Sequence, residues 1–124
     1  HADAKCVWFV RHGQAEHNVL FERGDVEACR AFPDPPLTAR GLQQAEAVAR
    51  DRLLEHRLDG AEGGLDMVVA SPLRRTVQTA LAAFGGWART SGTRLVLHPD
   101  LQETGEVPCD CGSPLPQLQK HFAV

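Results

Sequence analysis

Two kinds of apolar pattern alternate along this chain. Residues 6–10 (Cys-Val-Trp-Phe-Val) and 66–70 (Asp-Met-Val-Val-Ala) are short, nearly unbroken apolar runs rich in strand formers. Such runs predict strands of a parallel sheet, buried on both faces. Residues 94–97 are a third candidate strand, closed by Pro99. Helical spacing lies between them. Leu42, Ala45, Ala49 and Leu53 recur at three and four residues behind Thr38, a favourable N-cap, with Arg50, Asp51 and Glu55 turned to water. Gly60, Gly63 and Gly64 predict the end of that helix. Leu73, Val77, Ala80, Leu81 and Phe84 form a second buried stripe. Ser71-Pro72 predicts its start, because a serine can cap free N–H groups and proline lacks the N–H that the first helical position leaves unused. Gly85-Gly86 predicts its stop.

Residues 14–36 show no clear period, being broken by Gly24, Pro33, Pro35 and Pro36, and hold at most a short helix over residues 15–21. A connection of this length inside a compact domain is usually functional. After Pro99 the pattern dissolves into a loop marked by Pro108, Gly112, Pro114 and Pro116, with a last helix over residues 115–122. Strand, helix, strand, helix, strand predicts an α/β fold: three layers, α/β/α, around a largely parallel central sheet.

At 124 residues the chain fits one domain. A net charge of -3 gives no overall attraction to nucleic acid or to an anionic membrane, so any anion site must be local. No apolar run reaches membrane-spanning length, and residues 1–5 lack the features of a signal peptide. A cytoplasmic protein is expected, without nucleic-acid or membrane partners. Of the four cysteines, Cys6 reads as a small buried hydrophobe. Cys109 and Cys111 form a C-x-C pair with no second ligand pair at zinc spacing, which reads as free thiols in a reducing compartment; a weak metal site or a disulfide is the alternative.

In an open parallel sheet, ligands bind beyond the carboxyl ends of the strands. The first strand delivers Arg11, His12 and Gly13 to that edge, and the second delivers Ser71-Pro72-Leu73-Arg74-Arg75 at a helix start. A helix N-terminus stabilises an anion by roughly 0.3–1 kcal/mol when exposed, too little by itself to hold a phosphate well. Arg11 and Arg75 would add full charges and forked donors matched to phosphate oxygens. Beside them, a neutral His12 is a competent nucleophile near neutral pH, and flanking arginines favour that neutral form. Gly13 permits close backbone approach.

Arg11-His12-Gly13 with Asn18 resembles the R-H-G-x-x-x-x-N opening of the histidine phosphatase superfamily, the phosphoglycerate mutase-like proteins. Leu37-Thr38-Ala39-Arg40-Gly41-Leu42-Gln43-Gln44-Ala45 is similar to its L-T-x-x-G-x-x-Q-A helix, Ser71-Pro72-Leu73-Arg74-Arg75-Thr76-Val77-Gln78-Thr79-Ala80 to its S-x-L-x-R-x-x-Q-T-A segment, and Leu101-Gln102-Glu103 to its L-x-E segment. Four motifs in the family's order cover the chain from residue 6 to about residue 103, far more specific than an R-H-G alone. The tail from Cys109 to Pro114 resembles fungal and algal phosphoglycerate mutase-like proteins.

The resemblance implies phosphoryl transfer without metal or other cofactor on a small phosphorylated substrate. His12 would be the phosphorylated nucleophile and Glu103 the proton donor, with Glu106 as a rival acid. Arg11, Arg75 and Gly13 would hold the phosphate, Asn18 would lie in or near the pocket, and Arg74 would have a supporting or surface role. His17, His56 and His98 read as solvated side chains. The family also needs a later histidine followed by Gly, and neither His98 nor His121 fits that place. The chain begins at His1 rather than Met, so residues 1–124 are expected to be one incomplete domain, lacking the part that carries the second histidine. Hydrolysis of a small phosphomonoester is the first reading. A phosphoglycerate-type mutase and a non-catalytic phosphate-binding fragment are the alternatives. Oligomeric state is not legible.

Overall fold

The computed structural model describes residues 5–51 and 64–122. Its elements are α1 (Glu16–Glu22), α2 (Val26–Ala31), α3 (Ala39–Ala49), β1 (Met67–Ala70), α4 (Arg74–Ser91), β2 (Arg94–Leu97) and α5 (Leu115–Phe122), with 3₁₀ turns at Pro99–Leu101 and Pro108–Asp110. β1 and β2 pair in parallel, from Met67 opposite Arg94 to Ala70 opposite Leu97. Helix α4 is the crossover that such a pair requires. Val68 and Ala70 pack with Ala80, Ala83 and Phe84 of α4, and Val48 of α3, Leu65, Leu95 and Leu97 close the margin of this core. Met67 and Val69, on the opposite face of β1, are exposed. The α/β class and the parallel pairing are as expected. The described residues form two of the three expected layers, a sheet with helices over one face.

Residues 6–10 depart from the expected buried strand. They form no strand among the described residues, and Val7, Trp8, Phe9 and Val10 are exposed, as is Cys6. An apolar run is buried only where elements cover it, and among the described residues the helical cover goes to β1 and β2.

Helix α4 is also framed differently. It starts at Arg74, not at Pro72. The carboxylate that meets its free N–H groups belongs to Asp34, whose Oδ1 accepts from the Arg74 N–H at 2.9 Å and whose Oδ2 accepts from Ser113. Asp34 is buried at a positive φ of 42°, so the connection is bent to deliver this cap. The Ser71 hydroxyl pairs instead with Thr76 Oγ1 at 2.8 Å. Gly85 and Gly86 do not stop the helix, which runs on to Ser91 and ends on Gly92 at φ 74°. Each internal glycine costs about 1 kcal/mol relative to alanine, offset here by burial of Ala83, Phe84 and Ala88 around them. Leu42 and Leu81, assigned to buried stripes, are exposed, whereas Ala45, Leu73, Val77, Ala80 and Phe84 are buried as expected.

Helix α2 has no counterpart in the hydropathy pattern. It buries only Cys29 and is started by Asp25, whose side chain accepts from Ala28 N–H, after the turn at Gly24. Helix α5 falls where expected. Leu53, Glu55, His56, Gly60 and Gly63 lie outside the described residues. No helix among the described residues is long and apolar enough to cross a membrane.

Candidate active site

The loop that carries His12 is pinned from two helices. The Gly13 N–H donates to Thr79 Oγ1 of α4 at 3.2 Å, and that hydroxyl donates in turn to the Arg75 carbonyl at 2.7 Å. The Gln14 N–H donates to Gln44 Oε1 of α3 at 2.9 Å, while the Gln14 carbonyl accepts from the Thr38 N–H at 2.9 Å. Gln78 of α4 accepts from the Leu37 N–H. Glycine is required at two places in this crossing. A Cβ at Gly13 would collide with the Gly41 carbonyl, and one at Gly41 would collide with the Gln14 carbonyl. Gln44, Gln78 and Thr79 lie in segments the sequence reading singled out but received no role there; they hold the loop.

His12 Nδ1 lies 2.7 Å from the Gly13 carbonyl. A carbonyl only accepts, so Nδ1 carries the proton, and in the neutral ring the lone pair is left on Nε2. Burial lowers the pKa of His12, and the charges of Arg75 and Arg11 lower it further. The Gly13 hydrogen bond and Glu103 act against them, and the net shift is downward. The ring is therefore neutral at pH 7, with its lone pair on Nε2.

Arg75 is fully buried. A buried charge is tolerated only with partners. Its Nη1 donates to the Cys109 carbonyl at 2.7 Å. Its Nη2 lies 3.5 Å from Glu103 Oε1 and 3.9 Å from Asp110 Oδ1, in ion-pair range but without a hydrogen bond. Glu103 is itself more than half exposed, so it faces solvent on one side and the guanidinium on the other. The structure thus brings Glu103, and not the exposed Glu106, to Arg75. It adds Asp110, which sequence reasoning missed because its only signal was a place in a proline-rich loop.

Arg11 is exposed, and with His12, Gly13 and Asn18 it lines a cavity of about 680 Å³ that Gln44 and Arg40 also wall. Arg75 and Glu103 are not among its walls; Thr79 is, and its hydroxyl links the Gly13 N–H to the Arg75 carbonyl. Asn18 lines the same cavity, but its amide is engaged. Oδ1 accepts from the Ala15 N–H at 2.8 Å, and Nδ2 lies 3.3 Å from His17 Nε2. Arg74 contributes its backbone N–H to Asp34, a supporting role.

His17 is not a solvated side chain. Expected in solvent, it has its ring centroid 6.0 Å from that of His12, and its Nδ1 is buried. Burial and then the Arg75 charge push its pKa down to about 4. His98, by contrast, is exposed near Asp100. All four cysteines are free thiols. Cys109 is buried, with its thiol pushed up to about 11 by burial first and by Asp110 next, and Cys111 is exposed.

Comparison with known proteins places this geometry in a lineage. A probable phosphatase of Schizosaccharomyces pombe is 30% identical over 118 residues, which cover 95% of this chain and 50% of the relative. A phosphoglycerate mutase-like protein of Arabidopsis thaliana is 37% identical over 90 residues, 71% of this chain and 31% of the relative. Phosphoserine phosphatase 1 of Hydrogenobacter thermophilus is 36% identical over 72 residues, 58% of this chain and 28% of the relative. The solved structure of Bacillus stearothermophilus YhfR matches 91% of this chain and 46% of its own with a TM-score of 0.51 at 21% identity, which shows a shared fold. The chain spans half or less of the length of these proteins. The family model of the histidine phosphatase superfamily (branch 1) matches residues 7–112, from the approach to His12 through the partners of Arg75, and the chain belongs to that superfamily.

Proposed function

We propose that this protein transfers phosphoryl groups through a phosphohistidine at His12, and that its reaction is hydrolysis of a small phosphomonoester. One observation carries the reading most: the Gly13 carbonyl holds the His12 proton on Nδ1, leaving the Nε2 lone pair free beside a buried arginine. In the reaction proposed, Nε2 attacks phosphorus and the ester P–O bond breaks, its electron pair leaving with the alcohol oxygen. Glu103, held at Arg75, gives that oxygen a proton. Water then attacks the phosphorus, the P–N bond breaks, and inorganic phosphate leaves. Arg75 and Arg11 oppose the charge on the transferring group. The relative names include both phosphatases and a mutase-like protein. A mutase reading differs only in the acceptor of the second step, a substrate hydroxyl in place of water.

The activity is proposed for the whole protein, because the chain spans about half the length of its relatives. The exposed face of β1, at Met67 and Val69, is where we place the third layer of the sheet. The free thiols fit the expected reducing, cytoplasmic setting.

The test is a trapped intermediate. Protein mixed with ³²P-labelled phosphomonoester and quenched in alkali should carry base-stable, acid-labile label on His12, and His12→Ala should carry none. Label retained in His12→Ala would overturn the assignment. Free phosphate released without transfer to 3-phosphoglycerate would separate the phosphatase from the mutase.

A further inference from the structure

Buried polar atoms without a hydrogen bond are rare in folded proteins, and each calls for an explanation. Among the described residues three side-chain nitrogens are in this state: Arg75 Nε, Arg75 Nη2 and His17 Nδ1. They share one neighbourhood. The His17 ring is 6.0 Å from the His12 ring, and after burial the Arg75 charge is the strongest influence on His17.

The hydrogen-bond chain around His17 sets which of its nitrogens holds the proton. Asn18 Oδ1 is occupied by the Ala15 N–H, so the end of the amide facing His17 Nε2 is the NH₂ group. An amide NH₂ only donates. Nε2 must therefore accept, and the proton of the neutral ring sits on Nδ1. The ring stays neutral at physiological pH, since burial, Arg75, His12 and Arg11 outweigh the opposing pull of Asp110. All three unpaired nitrogens are then N–H donors. Three unpaired N–H donors in the surroundings of His12, two of them on a guanidinium that also has Glu103 and Asp110 within ion-pair range, suit the oxygens of a phosphoryl group. They do not match a cation. A neutral donor also adds a hydrogen bond without adding a second buried positive charge next to Arg75.

We propose that His17 is a phosphate-binding residue, donating its Nδ1–H to an oxygen of the phosphoryl group held by Arg75, with Asn18 as the positioning residue that sets the His17 tautomer. This rests on the phosphoryl-transfer reading above, but it concerns binding and not the covalent step. It also gives the site a second histidine, from the start of α1, seventeen residues before Asp34.

The probe is inorganic phosphate, titrated into the full chain and followed by ¹⁵N-edited NMR of the imidazole groups. The expected result is a protonated Nδ1 on His17, whose proton signal moves downfield as phosphate saturates. His17→Phe, which keeps a ring and removes the donor, should weaken phosphate binding about ten- to hundredfold, the usual worth of a hydrogen bond to a charged group. His17→Asn should recover part of that loss. A His17 proton on Nε2, an unmoved Nδ1–H signal at saturating phosphate, or a folded His17→Phe variant that binds phosphate as the parent does would each overturn the proposal, as would absence of phosphate binding. The two readings fail separately. A protein that binds phosphate through His17 but is never labelled defeats only the phosphohistidine assignment, and a protein labelled on His12 whose His17 Nδ1–H signal does not respond to phosphate defeats only this proposal.

Discussion

Phe9 and Arg75 have exchanged the places that hydropathy assigns them. Phe9, in the apolar run of residues 6–10, is 93% exposed, and Arg75 is 0% exposed. The difference lies in partners. Arg75 has a carbonyl at 2.7 Å, two carboxylates within 4 Å and the buried face of α4 around it. Among the described residues, Phe9 belongs to no sheet or helix. Side-chain chemistry sets how much burial can stabilise a residue, but burial itself requires neighbours of the right kind. A charged residue that collects them goes inside before an apolar one that does not.

The sharpest way to break this contrast is Arg75→Met. It keeps most of the side-chain length and removes the charge. Removing one partner of a buried ion pair costs up to about 3–5 kcal/mol, and the low end applies here because Glu103 keeps its contact with solvent. Phosphate affinity should be lost. A second readout follows from the histidines. His12 and His17 both have folded-state pKa values below the ordinary 6.5, and Arg75 contributes to both shifts. A ring in this state binds protons more readily when unfolded. Its neutral form therefore supports the fold fully above about pH 6.5, and that support is lost as pH falls toward the folded value, near 4 for His17. Arg75→Met should flatten the fall in stability between pH 6.5 and 4, measured by urea titration at stepped pH. Unchanged stability and phosphate binding would show that the burial of Arg75 is incidental.

The sequence made the two ends of this comparison legible to different degrees. The family was readable: Arg11, His12, Gly13, Arg75 and Glu103 lie in motifs ordered as in the histidine phosphatase superfamily, to which the chain belongs. The strand–helix–strand unit was readable too, because β1 and α4 bury alternate and helical-period positions that show in the pattern. What did not show were contacts between distant segments. The Asp34 cap on α4 lies forty residues from Arg74, and no local signal marks it. The low pKa of His17 comes from its burial and then from the charge of Arg75, far along the chain, which no local signal announces. Residues 6–10 failed in the opposite way. Their local signal was clear, but it registers affinity for a buried place and not the presence of one.

Between these extremes lies Glu103, a carboxylate with one side in water and one against the buried guanidinium. Glu103→Gln keeps shape and hydrogen bonding but cannot supply a proton. General acid catalysis contributes about 10²–10⁴-fold, so turnover of an alkyl phosphate should fall by that factor. Turnover of p-nitrophenyl phosphate, whose leaving oxygen needs little protonation, should fall much less. Equal losses on both substrates would remove the acid role from Glu103 and direct attention to Asp110, the other carboxylate near Arg75.

The smallest effect is expected at the other pole. Full burial of a phenylalanine stabilises by about 1.5–3 kcal/mol relative to leaving it exposed. At 93% exposure, Phe9 gains almost none of this on folding. Phe9→Ser should then change the stability of this chain by less than about 0.5 kcal/mol, as surface substitutions do. Leu73→Ala, at a position 1% exposed, should cost about 2–5 kcal/mol. Phe9→Ser should also lower self-association in sedimentation velocity, because Val7, Trp8, Phe9 and Val10 present adjoining apolar surface to solvent. A loss of 2 kcal/mol or more at Phe9 would mean that the run is packed in solution. Arg75 would then be a buried charge beside an ordinary buried strand, and the idea that partners override hydropathy here would rest on the arginine alone.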